Sequence, residues 1–214
     1  MLKNIFANII GRFWGILSNF LFIPLYIKFL GIESYSVISF SLVIAGLMGI
    51  LDAGLTATLS RQFALKTNDD KEKNRIFSTL ETCYFIIVII IIVVILLFSG
   101  PIAHKWLNLE SIDPNYLSYW LRIIGIGIAF QFLANFYTGG LLGLEYQVKA
   151  NLYQIGLGIV RNGLVVLPII FLPSLEVFFM WQTCATIIYA GLLRISLKKM
   201  LSLKYAIKKS FQIE

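Results

Sequence analysis

Residues 85–98 read Phe-Ile-Ile-Val-Ile-Ile-Ile-Ile-Val-Val-Ile-Leu-Leu-Phe. Polar and apolar positions do not alternate here, so the run is not a strand of a membrane β-barrel. It lies within a longer apolar stretch, Phe77 to Ala103. As a helix rising about 1.5 Å per residue, that stretch exceeds the roughly 30 Å of a bilayer's hydrocarbon core. It reads as apolar on every face, which places it at the lipid-facing periphery of a bundle.

The rest of the chain repeats this pattern. Of 214 residues, 58% are hydrophobic. The mean hydropathy is +0.83. Charged residues make up 14%, against about 25% in an average soluble domain. One water-soluble core cannot bury that much apolar surface. With 16 Gly, 5 Pro and 2 Cys, the disordered, collagenous and disulfide-rich classes are excluded as well. Six spans are expected, at about 5–30, 35–59, 77–103, 116–144, 150–172 and 175–197, followed by a basic tail over 198–214. The connections carry turn chemistry at Gly31, Ser99-Gly100-Pro101, Asp113-Pro114-Asn115 and Pro173-Ser174. The predicted fold is all-α, an integral membrane six-helix bundle with antiparallel neighbours.

The net charge of +7 is a topology signal before it is anything else. Lys3, Arg61, Lys66, Lys71, Lys73, Arg75, Lys149, Arg194, Lys198, Lys199, Lys204, Lys208 and Lys209 fall on one side of a six-span arrangement. Lys28 and Lys105 fall on the other, with Arg122 just inside a helix end beside Tyr116, Tyr119 and Trp120. Both termini are therefore expected in the cytoplasm. Nucleic acid is not implied. The apolar and basic residues of the tail do not separate onto two helix faces, so no amphipathic helix is predicted there. The first span is too long for a cleaved signal peptide.

Ionisable groups within spans are costly and need a reason. On the first span Asn4, Asn8, Arg12, Gly15, Asn19 and Tyr26 share one stripe; on the fifth, Asn151, Gln154, Gly158, Arg161 and Asn162 do. Arg161 lies about 16 Å from either interface, too deep to reach water easily. A softer stripe on the second span holds Ser41, Ala45, Gly49, Asp52 and Thr56. Asp52 is the one carboxylate read inside the membrane, at the same depth as Arg12. Two readings stand for it: an ion pair with Arg12, or a helix break at Asp52-Ala53-Gly54 with Asp52 capping the next helical segment. Arg122 is read as reaching the outer interface, on the face opposite Gln131 and Asn135. Arg12, Asn19, Asp52, Gln154, Arg161 and Asn162 are thus the candidate cavity residues. A cavity with two cations and one carboxylate suits an anionic ligand.

Catalytic signatures are missing. There is no phosphate-binding Gly loop, no metal-ligand cluster and no Ser or Cys nucleophile with a histidine base. His104 reads as an interfacial residue, and Cys83 and Cys184 as free thiols. No enzyme activity, cofactor or metal is expected.

Two linked motifs resemble a known family. Leu30-Gly31-Ile32-Glu33-Ser34-Tyr35 opens the second span, and Leu51-Asp52-Ala53-Gly54-Leu55-Thr56-Ala57 ends it. Over residues 1–65 the chain resembles the N-terminal part of bacterial polysaccharide biosynthesis membrane proteins. These are the O-antigen and capsule flippases of the multidrug/oligosaccharidyl-lipid/polysaccharide exporter superfamily. Ser36 stands where that family has Gly. The resemblance carries over Gly31, Tyr35, Asp52 and Gly54 as motif residues. It implies transport of undecaprenyl-diphosphate-linked oligosaccharide across the bacterial inner membrane, for surface polysaccharide and lipopolysaccharide synthesis. It also implies alternating access between two six-helix bundles in a protein of twelve to fourteen spans. On that basis this chain looks like one half, partnered by a missing C-terminal half or a second copy. A multidrug exporter of the same superfamily and a non-transporting membrane assembly subunit are the alternatives.

Overall fold

The computed structural model describes residues 20–52, 54–65, 69–105 and 112–210, together with Ile9, Phe13, Trp14, Leu17 and Ser18; the side chains of Leu51, Asp70 and 203–210 are excepted. The described residues form helices and turns, with no strand among them. In chain order the helices are α1 (Ile23–Leu30), α2 (Ile32–Leu51), α3 (Leu55–Ala64), α4 (Asp70–Lys105), α5 (Pro114–Gly143), α6 (Gln147–Gly158), a π-helical segment (Ile159–Leu164), α7 (Val166–Phe171) and α8 (Leu175–Ser210). Four stretches are long and apolar enough to cross a membrane: Lys71–Lys105, Pro114–Gly143, Gln147–Phe171 and Leu175–Ser202. They coincide with the third to sixth expected spans. This is an all-helical membrane protein.

The ends of these helices follow local chemistry. Pro114 opens α5 where its missing N–H costs nothing, and Asp113 accepts from the Asn115 N–H at 2.7 Å. Ser174 does the same for α8, accepting from the Glu176 N–H at 3.2 Å. Gly31 turns the chain from α1 into α2 with φ 86° and ψ 164°, a region open almost only to glycine.

The expected second span is divided. α2 ends at Leu51 and α3 begins at Leu55, so the break at Asp52-Ala53-Gly54 is present. Gly54 sits at φ 80°, and a Cβ there would meet nothing within 4 Å. Its requirement is therefore conformational alone. Gly54→Ala is expected to cost about 1–2 kcal/mol, the left-handed penalty. Thermal unfolding in detergent checks this; an unchanged midpoint would show that the break does not need glycine.

α5 is the centre of the bundle and packs against α8, α4, α3, α2 and α6. Its buried side includes Leu133, Phe136, Tyr137 and Leu141. Two clusters form the core. One joins Leu59, Phe63, Tyr84, Phe136 and Leu197. The other joins Tyr26, Val37, Leu117, Val165 and Phe178. Tyr84 stacks on Phe132 and Phe136 with ring centroids 4.7 and 4.2 Å apart. Small residues on α5 allow close helix approach: a Cβ on Gly143 would lie 2.5 Å from the Ser60 carbonyl oxygen and 2.7 Å from the Ser60 Cα.

α4 exposes Ile86, Ile89, Ile90, Val93, Leu97 and Phe98. Most of its apolar surface is therefore left open by the other described helices. The expectation that α4 is apolar on every face does not hold, because Glu81 is only 7% exposed and turns inward. Nor is Asp52 the sole carboxylate within the apolar helices. Glu81 lies about a third of the way along its helix, and three partners from α5 and α8 offset the cost of burying it. α8 runs on past the expected span boundary at 197 to Ser210 as one helix. No Gly or Pro interrupts residues 197–210, and most of them are good helix formers.

Candidate anion-binding cavity

The fifth expected span is regular until it reaches its charge. From Ile159 to Leu164 the backbone widens into a π-helix, with Arg161 in the middle. Such a turn fits in one extra residue and loosens the α-helical ladder, commonly at functional positions. Here three successive carbonyls each accept a side-chain bond. Trp181 Nε1 donates to the Val160 carbonyl at 2.9 Å. Gln182 Nε2 donates to that of Arg161 at 2.9 Å, and the Tyr26 hydroxyl to that of Asn162 at 2.7 Å. The π-helix is thereby clamped to α1 and α8.

The Arg161 guanidinium is held from two sides. Its Nε donates to Gln182 Oε1, and its Nη1 to Gln131 Oε1 at 3.0 Å. Gln131 in turn donates to Asn135 Oδ1 at 3.0 Å. Amides orient a guanidinium without neutralising it. These residues line a cavity of about 460 Å³, together with Ser18, Tyr26, Tyr35, Ser41, Gln154, Asn162 and Thr183. Among the described residues lining it, none is Asp or Glu, and Arg161 is the charged one. Among the described lining residues, the charge of Arg161 is thus met by neutral dipoles. This arrangement can bind an anion through the charge and the amide and hydroxyl donors around it.

The expected site residues divide three ways. Arg161, Gln154 and Asn162 line the cavity as the helical stripe predicts. Gly158 and Tyr35 join them. Arg12 and Asn19 lie outside the described residues. The same holds for Asn4, Asn8 and Gly15 of the first stripe, which reaches the cavity through Tyr26. Asp52 and Asn151 turn elsewhere. Asn151 is buried and donates to the Gln147 carbonyl. Asp52 accepts from the Thr56 hydroxyl at 2.6 Å, from the Thr56 N–H at 3.3 Å, and from the Tyr84 hydroxyl. It caps the first turn of α3 and ties the helix break to α4. Asp52, expected in the cavity, is not among the described residues lining the space around Arg161.

Arg122 is exposed and donates from Nε to Ser99 Oγ at 3.0 Å, away from the cavity as expected. Cys83 and Cys184 are free and exposed. Sequence patterning does not single out Gln182, Trp181 or Ser18. The available signal for Gln182 is an amide inside an otherwise apolar span.

A second polar centre joins α4, α5 and α8. Arg194 grips Glu81 through Nε at 2.7 Å and Nη2 at 3.3 Å, and Tyr137 donates to Glu81 Oε1 at 2.9 Å. Lys198 stands 3.7 Å from Glu81 Oε2. Arg194 and Lys198, expected as topology charges, thus also act in packing.

Compared with protein-family models, curated proteins and solved structures, the chain matches none.

Proposed function

We propose that this chain is the six-span half of a lipid-linked oligosaccharide flippase, and that its cavity binds the diphosphate of an undecaprenyl-linked glycan. The observation that carries the reading is the cavity around Arg161, which has a fixed guanidinium and no lining carboxylate among the described residues. A diphosphate is multiply charged and rich in acceptors, so it matches that lining. The resemblance of residues 1–65 to the flippases supports the same substrate. In this reading the protein sits in the bacterial inner membrane with both termini cytoplasmic, as the Lys and Arg bias supports. A second bundle, from further chain or a second copy, supplies the opposite wall for alternating access.

A multidrug exporter for cationic compounds is the weaker reading, because cationic drugs call for cavity carboxylates. A non-transporting assembly subunit would not need the charge at all.

Arg161→Ala separates the three. Under the flippase reading, surface glycan export falls about tenfold or more, because one charge-assisted contact is lost, while membrane insertion is unchanged. Normal glycan with altered drug resistance would favour the exporter. Normal glycan and normal resistance would favour the assembly subunit. Intact mass of the natively encoded polypeptide tells whether the second bundle lies on the same chain.

A further inference from the structure

We propose that the groove between α4 and α8, at the end where α4 begins, seats the phosphate of an anionic phospholipid. A cavity of about 430 Å³ lies there, lined by Asn74, Phe77, Ser78, Glu81, Lys198 and Ser202. Its charge is the first argument. Glu81 is engaged by the bidentate grip of Arg194 and by Tyr137. Lys198, at 3.7 Å, is the looser partner, and its side chain is 48% exposed. Two cations therefore face one carboxylate, which leaves the cluster with a net positive charge. Lys198, whose ammonium also lies 5.8 Å from the centre of the Phe77 ring, and Ser78 border the cavity that an incoming anion would enter.

The neighbouring surface is the second argument. One turn below Glu81 on α4 comes Phe85, followed by Ile89, both exposed. On α8, Ile195 is 67% exposed just below Lys198, with Leu192 and Ile188 beyond it. Two apolar rows thus lead from the hydrocarbon-facing part of the bundle up to the polar cavity. Acyl chains lying along those rows put a headgroup phosphate at Lys198. A free anion has no chains and gains nothing from them. The seat lies on the outside of the bundle, away from Arg161, and does not depend on the transport reading.

The test uses the full chain in detergent and native mass spectrometry, with phosphatidylglycerol and phosphatidylcholine of identical acyl chains. Phosphatidylglycerol is expected to be retained preferentially. Lys198→Gln is expected to lower that retention about fivefold, the loss of one cation at the membrane surface. Lys199→Gln, on an exposed neighbour that does not line the cavity, is expected to change nothing. Equal retention of the two lipids would overturn the proposal. So would unchanged retention in Lys198→Gln, or an equal loss in Lys199→Gln. Displacement of the lipid by the same concentration of inorganic phosphate would mark a free-anion site instead and would also overturn it. Should Lys198→Gln not remain folded, Ser78→Val removes the hydroxyl that the other helix offers the phosphate and carries the same expectation.

Discussion

Gly143→Ala is expected to lower stability by about 2–3 kcal/mol, because it overpacks a contact that cannot relax. A Cβ at this position would lie 2.5 Å from the Ser60 carbonyl oxygen and 2.7 Å from the Ser60 Cα. Both are backbone atoms, so no rotamer change makes room. α3 must move off α5 as a body. One turn earlier, a Cβ on Gly139 would meet the Thr56 side chain, so α3 is held close along two turns. Such approach lets packing and dispersion hold helices together in lipid, where the hydrophobic effect between helices is absent. The measurement is thermal unfolding of the purified protein in detergent. Gly156→Ala, where a Cβ meets nothing within 4 Å, is the control and should leave the midpoint unchanged or raised. A Gly143→Ala midpoint equal to wild type would mean that α3 and α5 do not pack this closely.

Glu81→Ala is expected to cost about 2–3 kcal/mol, mostly through the hydroxyl that it orphans. Tyr137 is 1% exposed, and Glu81 Oε1 is the acceptor of its hydroxyl at 2.9 Å. Without that carboxylate the buried O–H loses its acceptor, and the neighbouring Arg194 can offer it donors only. The loss of Arg194 matters less, since its side chain is 42% exposed and water can replace the carboxylate. Glu81→Gln keeps an acceptor for Tyr137 and should therefore recover roughly half of the loss. The order wild type, then Gln, then Ala in unfolding midpoint is the expected result. Equal midpoints for Gln and Ala would show that the charge pair, not the Tyr137 bond, carries the stability.

These two sites differ in how far they can be read from the amino-acid order. Glu81 stands at the edge of a long apolar run, and nothing near it in sequence announces burial. Its chief partner, Arg194, is 113 residues away. Arg194 by itself reads as one more cytoplasmic cation. The reverse holds for Arg161. Its depth follows from counting residues to each end of its span, and depth alone argues for a polar interior. The stripe of Asn151, Gln154, Gly158, Arg161 and Asn162 follows from helical periodicity; the last four line the cavity, and Asn151 does not. Asp52 falls between the two cases. The break at Asp52-Ala53-Gly54 is a local signal, and its capping of Thr56 is local chemistry. Its other partner, Tyr84, lies on another helix and directs the carboxylate away from the cavity.

The order of residues is enough to specify the helical class, the four long apolar spans and the depth of Arg161. Each depends on a local quantity: the length of an apolar run, the rise of a helix, or the periodicity of one face. The π-helix over Ile159–Leu164 depends on none of these. Its carbonyls are held by Tyr26, Trp181 and Gln182, so the widened turn belongs to three segments at once. The same is true of the cavity around Arg161, with no Asp or Glu among its described lining, and of the burial of Glu81. Helix formation is settled by bonds within a segment, whereas the direction of a polar side chain is settled by whichever partner another segment brings within reach. Only the packed bundle makes that choice.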